Sequence, residues 1–422
     1  MLLRKSICFR VFFIGLFLSI FFYSFSSPWS NSFGIYELLV FIFLVVSFWL
    51  GVVLSVNLKL MNVFYWLIFF VLFVIGFLGN DFQDLIRDAI PYFYLGIPLF
   101  FMGFMRLNSC GYKTIYSEQL GKWIKLLVFF VAGLGLIFSL RELFPFFLNY
   151  NFNLYDAVKH RLVTHDQLYL FQAPSVVFAA VFFSTLGVSL IKTNVLKSIG
   201  LIFVGFIVIS APFLGVLRGP VLFFFLSLLF FIFIFSKNKL LIVILLSALI
   251  VLNLDLLSDV FKLLLLKHQA VGSNNKLREF FEIMHHLNEQ SFYNLLFGEG
   301  FGATYYSTGG GGIVRFAHSL PAYALIKGGI VLFTVSIWLI IFVLYKSLDR
   351  LLFFYKIKNY FAISVLLGFL SSFVINVFLE PGFKTLDFGL LLLIFVSYCF
   401  YVDKAFSKRQ LEFIYKLKVD KK

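Results

Sequence analysis

The sequence has little charge for its length. Only 13% of its 422 residues are Asp, Glu, Lys or Arg, whereas 61% are hydrophobic and 63 residues are phenylalanine. A water-soluble chain of this size carries about a quarter charged residues, because polar groups must cover its surface. The composition therefore excludes a soluble globular protein. It predicts an all-α polytopic membrane protein in which residues 1–422 form a single integral membrane domain.

Cysteine and nucleotide-binding motifs are also scarce. The three cysteines, Cys8, Cys110 and Cys399, show neither metal-ligand spacing nor the pattern of a disulfide framework. The cytoplasmic segments predicted below contain no GxxxxGK[ST] or GxGxxG element, so chemistry driven by ATP is not expected. No internal repeat is evident, which weighs against an inverted-repeat transporter. We expect no cofactor.

Long apolar runs occupy most of the chain. A helix needs about 20 residues to cross roughly 30 Å of hydrocarbon, and about 12 runs approach that length. They lie at 9–25, 35–56, 61–78, 89–105, 122–144, 172–191, 197–214, 219–236, 239–255, 320–345, 359–379 and 385–403. The first follows Arg4, Lys5 and Arg10, and we interpret it as an uncleaved span rather than a signal peptide.

The basic residues predict the orientation of this layout. Most of the 35 Lys and Arg residues fall on the termini and on the segments that share their side, and most of the 20 acidic residues fall on the other. The positive-inside rule therefore places both termini in the cytoplasm. The lysine-rich C-terminal tail would lie against lipid headgroups. The net charge of +15 reflects this asymmetry, and no nucleic-acid partner is expected.

A large polar loop, 255–320, then lies outside the cytoplasm between the ninth and tenth spans. Its spacing of apolar residues predicts an amphipathic helix over Asn274–Gln290. The apolar face would carry Leu277, Phe280, Phe281, Met284 and Leu287. Glycines interrupt the residues that follow, and this density of glycine excludes a stable helix there. All six histidines also fall on the outer side: His160, His165, His268, His285, His286 and His318.

Three residues at this face are candidates for chemistry. Arg218 opens the eighth span, either as a guanidinium that binds phosphate or as an interfacial anchor. Arg278, on the amphipathic helix, either binds phosphate or forms an ordinary surface pair with Glu282 one turn later. His318, at the entry to the tenth span, is either an interfacial polar residue or a group that orients or deprotonates a sugar hydroxyl.

Two weaker candidates also have ordinary structural explanations. Arg87 lies at the start of the predicted fourth span, where Asp84 and Asp88 would neutralise it. Glu282, His286 and Glu289 offer metal-binding groups, but their pattern is not HExxH and fits a solvated charged face better. We therefore predict no metal site.

Three short motifs, in order, resemble the O-antigen polymerase and O-antigen ligase superfamily of bacterial envelope glycosyltransferases. Leu217-Arg218-Gly219 opens a span and is similar to the family's Ser-Arg-Gly element. Arg278 lies on a helix of the outer loop that is followed by the glycine-rich stretch 297–302. His318-Ser319 precedes a span that continues Ile326-Lys-Gly-Gly-Ile330, like the family's His-Asn and Gly-Ile pattern. The resemblance covers spans seven to ten.

The resemblance implies a GT-C membrane fold and a metal-independent polymerase in the bacterial inner membrane, with a periplasmic active site. It would transfer a growing glycan from undecaprenyl pyrophosphate to the next lipid-linked repeat unit. Arg218 and Arg278 would hold the pyrophosphate, and His318 would orient or deprotonate the acceptor. Residues predicted to bind substrate are Arg87, Arg161, Arg315, Gly300 and Gly302. Expected partners are the lipid-linked glycans, membrane lipids and a chain-length regulator.

Two other functions remain open at this point. The first is the ligase that transfers finished glycan to lipid A-core, which shares this chemistry and these residues. The second is a flippase for lipid-linked oligosaccharides. A flippase is expected to carry charged residues within its spans and to lack a large outer loop. Here most charges lie between the apolar runs, so we rank the flippase third.

Overall fold

A computed structural model describes residues 2–26, 35–54, 60–99, 115–150, 170–215, 217–235, 276–308, 312–315 and 317–400. Several predicted features lie outside these residues. They are the apolar run at 239–255, the first part of the outer loop (255–275), and Arg161.

The described chain is mostly helical. Its helices are α1 (Leu2–Tyr23), α2 (Ile35–Leu54), α3 (Leu60–Gly79), α4 (Phe82–Leu95), α5 (Ile115–Tyr150), α6 (Pro174–Leu190), α7 (Val195–Leu214), α8 (Arg218–Phe235), α9 (Lys276–Gln290), α10 (Phe292–Phe297), α11 (Leu320–Lys356), α12 (Tyr360–Val374) and α13 (Leu386–Phe400). A π-helical turn (Ile375–Leu379) extends α12, and a 3-10 turn (Pro381–Lys384) precedes α13. Strands β1 (Tyr305–Ser307) and β2 (Gly312–Val314) pair antiparallel.

Within the described part of the chain, four helical stretches are long and apolar enough to cross a membrane. They are Gly121–Phe144, Val195–Leu214, Leu320–Lys356 and Tyr360–Leu379. Six further apolar helical stretches are shorter: Arg10–Tyr23, Ile35–Ser47, Phe64–Gly79, Pro174–Leu190, Arg218–Ile234 and Leu386–Cys399. The predicted all-α membrane architecture is thus confirmed at this coarser level, with the addition of one short β-hairpin.

The helix at the fourth predicted span begins earlier than the predicted span. The prediction began it at residue 89, but α4 runs from Phe82 to Leu95 because the side chain of Asp81 accepts a hydrogen bond from the Gln83 backbone and caps the helix. Arg87 therefore lies within the helix rather than at its start. The search for apolar runs did not find this earlier start, because residues 81–88 are mostly polar.

Helix α6 forms the centre of the bundle. Every residue from Pro174 to Val188 is buried, and α5, α7, α8, α12 and α13 pack around it. A helix that is apolar on all sides is expected in such a central position. Small residues permit close contact, since a Cβ at Gly135 of α5 would lie 2.1 Å from the Ser175 carbonyl oxygen.

The amphipathic helix is confirmed, with a correction to its buried face. Helix α9 ends at Gln290 as predicted, and Ile283 and Leu287 are fully buried. Phe281, which the prediction placed on the apolar face, is exposed, whereas Glu279 takes the buried position one turn before Ile283. The prediction assigned only apolar residues to the buried face, but in the structure the carboxylate of Glu279 is buried there as well.

Candidate active site

The site is built around a break in α11. Gly328 (φ −132°, ψ 17°) and Gly329 (φ 60°, ψ −160°) leave the helical conformation, and the latter conformation is open almost only to glycine. The carbonyls of Ile326 and Lys327 accept hydrogen bonds from the backbone N–H groups of Glu299 (3.1 Å) and Gly300 (2.9 Å). The glycine-rich loop therefore satisfies acceptors that the broken helix would otherwise leave exposed.

The same loop packs tightly against α3 and α4. Gly300 has φ +75°, and a Cβ there would lie 2.3 Å from the Gly76 nitrogen. The Phe301 N–H donates to the Leu72 carbonyl (3.1 Å), and the Asn80 amide donates to the Glu299 carbonyl (2.8 Å). Close packing thus accounts for Gly300. The substrate-binding role of Gly300 and Gly302 stays a prediction.

A buried ion pair lies beneath this loop. The Lys327 Nζ is 2.5 Å from Asp88 Oδ2 and donates to the Ala303 carbonyl at 2.8 Å. The Gly302 N–H donates to the same Asp88 oxygen at 2.8 Å. The pair thus joins α4, the loop and the broken end of α11. A buried pair with its hydrogen bonds satisfied by the backbone is chiefly a structural connection.

A second ion pair, between Arg315 and Asp84, lies nearer the surface. The side chains of both residues are partly exposed. The sequence offered Asp84 and Asp88 as neighbours that could neutralise Arg87, and the structure shows that these carboxylates also pair with Arg315 and Lys327. Those partners come from a distant part of the sequence and could not be inferred from neighbouring charges. Arg87 itself is half-buried on α4.

Glu279 holds His318 in position. The Glu279 Oε1 accepts hydrogen bonds from the Tyr305 hydroxyl (2.6 Å) and the His318 backbone N–H (3.1 Å), and it lies 3.3 Å from His318 Nδ1. A carboxylate at Nδ1 favours the tautomer that carries its proton there. The other ring nitrogen, Nε2, is then able to accept a proton. The histidine side chain is partly exposed, while that of Glu279 is nearly buried.

The electrostatics of this pair favour an ionised carboxylate. Burial alone raises the pKa of Glu279, but hydrogen bonds from His318 and Tyr305 outweigh it and hold this pKa below its ordinary value. Burial, together with the Glu279 hydrogen bond, raises the pKa of Tyr305 well above its ordinary value. Tyr305 therefore remains a neutral donor that helps to keep Glu279 charged.

Lys384 lies near both the Lys327–Asp88 pair and the Glu279–His318 pair. The turn before α13 brings its Nζ to 4.7 Å from the centre of the Tyr323 ring, and the Tyr323 hydroxyl donates to the Asp88 carbonyl (3.3 Å). Burial lowers the pKa of Lys384 to about 7, opposed by Asp88 and Glu279 and assisted by Lys327 and Arg315. Lys384 therefore experiences the charges of both pairs. The residue as a whole is less completely buried than Lys327.

The structure brings Arg278 and His318 close to each other at α9: Arg278 lies on this helix, and His318 contacts the adjacent Glu279. Arg278 precedes Glu279 and is exposed, with its Nε 3.1 Å from Glu282 Oε1. The surface pair considered for Arg278 is thus present. Ser319 caps α11 by accepting a hydrogen bond from the Ala322 N–H, so His318 lies immediately before that helix, as predicted.

Arg218 is connected to this cluster less directly. It is exposed and opens α8, as predicted. A Cβ at the adjacent Gly219 would lie 3.0 Å from Leu379, which ends the π-helical turn shortly before Lys384. The segment 375–384 therefore runs from the Arg218 end of α8 to Lys384.

The three residues considered for a metal site, Glu282, His286 and Glu289, each pair with a different residue. Glu282 pairs with Arg278, Glu289 with His285 (3.2 Å), and His286 with Glu299 (3.1 Å). Among the residues that the structure describes, no group of three or more His, Cys, Asp or Glu side chains could hold one ion.

Sequence reasoning missed three members of this site. Lys327 gave a usable signal, since a charged residue inside an apolar run marks a functional or structural centre. Glu279 gave a weaker one, because it shares the helix face of Ile283 and Leu287. Lys384 gave none, as a lysine between two apolar runs is ordinary.

Comparisons with known proteins add no assignment. The chain matches no family model, no curated protein and no solved structure. The function must therefore be argued from the arrangement of side chains described above.

Proposed function

We propose that this protein is a glycosyltransferase that polymerises undecaprenyl-pyrophosphate-linked repeat units of an O-antigen or capsular polysaccharide. The growing glycan would pass to the next lipid-linked unit at the periplasmic face of the bacterial inner membrane. The observation that carries the proposal is the contact between His318 and the nearly buried Glu279. Lys384 lies within electrostatic range of both Glu279 and Arg315.

These groups suit the reaction. The acceptor hydroxyl attacks the anomeric carbon, a new C–O bond forms, and the bond from that carbon to the lipid pyrophosphate breaks. His318 Nε2 takes the hydroxyl proton, and Glu279 stabilises the imidazolium that results. The departing pyrophosphate gains negative charge, which Arg278, Arg218 and Lys384 would offset. The lipid pyrophosphate is already an activated leaving group, so no nucleotide is required.

The finer topology belongs to the same proposal. It comprises twelve spans, cytoplasmic termini and a periplasmic 255–320 loop. The distribution of basic residues supports this arrangement. It would place α9, α10 and the hairpin on the side where lipid-linked units await polymerisation.

A deletion strain of the native host tests the proposal. Loss of a polymerase leaves a single repeat unit on the lipid A-core, whereas loss of a ligase leaves none. Accumulation of lipid-linked units on the cytoplasmic side would indicate a flippase instead. Complementation with His318→Ala should fail to restore long chains, although the variant is present in the membrane at the wild-type level. Long chains restored by this variant would overturn the catalytic role of His318.

The flippase alternative has one observation in its favour: Lys327, inside the apolar α11, pairs with Asp88 of α4. Charged residues within spans often mark a transport path. Here, however, backbone groups of Gly302 and Ala303 complete the contacts of the pair. We therefore assign it a structural role and retain the polymerase as the leading function.

A further inference from the structure

Helix α10 presents aromatic side chains that remain exposed in the part of the chain that the structure describes. Phe292 is 73% exposed and Tyr293 is 61% exposed, and Phe297 is also exposed. These three residues are called the α10 aromatic face below. The backbone at the C-terminal end of α10 packs against the break in α11, where a Cβ at Gly329 would lie 2.3 Å from the Leu296 carbonyl. The helix is therefore fixed in place while its aromatic face points away from the protein.

The length of α11 indicates the level of this face in the membrane. No charged residue occurs from Ile330 to Tyr345, about 24 Å of helix at 1.5 Å per residue, and Lys346, Asp349 and Arg350 follow. With these charged residues at one edge of the roughly 30 Å of hydrocarbon, the break lies close to the other edge. The break therefore lies near the membrane boundary. Helix α9 also reaches this level, because the Phe280 ring lies 5.4 Å from that of Phe333, just beyond the break.

The surface of α11 next to the break is also apolar and exposed. Ile330 and Val331 directly follow Gly329 and are both exposed, in the helix with the highest hydropathy of the four long candidates. The α10 aromatic face thus lies beside a surface that is suited to contact lipid. Tyrosine and other aromatic side chains are typical of this boundary, where an apolar ring meets hydrated headgroups.

We propose that the α10 aromatic face is embedded in the interfacial layer of the bilayer, on the side of the membrane that carries α9 and the hairpin. Its occupant is lipid: headgroups around the Tyr293 hydroxyl and acyl chains against Phe292 and Phe297. The inference does not depend on the reaction that the protein catalyses. It fixes the broken end of α11, and with it Lys327 and the neighbouring site, at headgroup level.

Exposure alone does not identify such a surface, and α9 provides the contrast. Phe281 is 62% exposed, as much as Tyr293. However, Arg278 and His285 lie three and four residues away on the same exposed face of α9. This face is expected to contact water. Position 281 is therefore a matched control for position 293.

Spin labels test the proposal in the full-length protein. Cysteine is introduced as Tyr293→Cys, Phe292→Cys or Phe281→Cys in a chain carrying Cys8→Ser and Cys110→Ser; Cys399 is buried and is retained. Each variant is labelled with a nitroxide and reconstituted into vesicles of phosphatidylethanolamine and phosphatidylglycerol. Collision of the label with oxygen, which concentrates in lipid, is compared with collision with a water-soluble nickel chelate.

Labels at 292 and 293 should show an oxygen-to-nickel accessibility ratio several-fold higher than the label at 281. Their depth should fall within about 5–10 Å of the headgroup boundary, as for interfacial helices. Equal ratios at 293 and 281 would overturn the proposal by showing that the face contacts water. Labels at 292 and 293 that neither reagent reaches would also overturn it, because another protein surface would then cover the face.

Discussion

Two pairs of a carboxylate and a basic side chain lie in the same region but differ in what surrounds them. The Lys327 side chain is 0% exposed, and its pair with Asp88 is completed by backbone groups of the loop. The His318 side chain is 37% exposed, and it meets a carboxylate that Tyr305 also holds. The first pair is closed, and the second is open to the surface at its partly exposed histidine.

This difference assigns the Lys327–Asp88 pair to the stability of the fold and the His318–Glu279 pair to the reaction. A buried pair that loses one partner leaves an unpaired charge in a medium that cannot solvate it. An open pair that loses its histidine leaves a carboxylate still supported by a neutral tyrosine donor. Damage to the closed pair should therefore appear in folding, and damage to the open pair should appear in turnover.

The largest effect is expected from Lys327→Met. Asp88 would remain buried and charged without its partner, which costs about 3–5 kcal/mol of stability. The midpoint of thermal unfolding should fall sharply. In a chain carrying Cys8→Ser and Cys110→Ser, it can be followed by the reaction of buried Cys399 with a thiol-specific fluorophore. Lys356→Met, at the far end of the same helix, is the control. Equal unfolding midpoints for the two variants would show that the Lys327–Asp88 pair does not stabilise the fold.

The double variant Lys327→Met/Asp88→Leu refines this test. It removes both charges and should recover part of the lost stability, because a buried charge is no longer left unpaired. Recovery should be incomplete, since the Gly302 N–H loses its acceptor.

His318→Ala should lower the rate of polymerisation by roughly 10²–10⁴, the usual contribution of a general base. Its unfolding midpoint should stay close to that of the wild type, because the side chain is partly exposed. The matched control is His285→Ala, on the exposed face of α9. Measurement requires purified protein and lipid-linked repeat units, with products separated by chain length. A comparable loss of rate in His285→Ala would contradict a specific role for His318.

The sequence alone predicts much of the helical framework and a smaller part of the site. Apolar runs locate most helices because hydrophobic length is a local property. His318 could be placed at a helix entry because Ser319 and Pro321 are typical of a helix start. The partners of Lys327 and Glu279 could not be predicted, because Asp88 and Tyr305 come close only when distant segments pack together.

The glycines of the outer loop show the same limit. Their number predicted an irregular segment, and this is confirmed around Gly298–Gly302. The composition did not show what these glycines do, because their role is to pack against the break in α11 at Gly328 and Gly329. Two irregular segments satisfy each other's backbone groups, and neither one predicts the other.

An intermediate effect is expected from the pH dependence of Lys384. With a pKa of about 7, this side chain is charged below that pH and neutral above it. If it offsets pyrophosphate charge, polymerisation should decline as the pH rises through about 7. Lys384→Arg keeps its charge over this range and should abolish the decline. Lys384→Met should lose about 10-fold in activity at neutral pH or below, whereas the exposed Lys192→Met should not. A wild-type profile that stays flat through this range would contradict the assignment.

The smallest change in stability is expected at the exposed Arg278. Its pair with Glu282 is an exposed i,i+4 contact worth at most about 0.5 kcal/mol, so Arg278→Gln and Glu282→Gln should both unfold near the wild-type temperature. Their activities should differ. If Arg278 holds pyrophosphate, Arg278→Gln should lose roughly 10-fold in rate, since a charged hydrogen bond is lost, while Glu282→Gln frees the guanidinium and should keep its rate. Equal rates in the two variants would reduce Arg278 to a surface pair. The open part of the site would then consist of His318, Glu279 and Lys384.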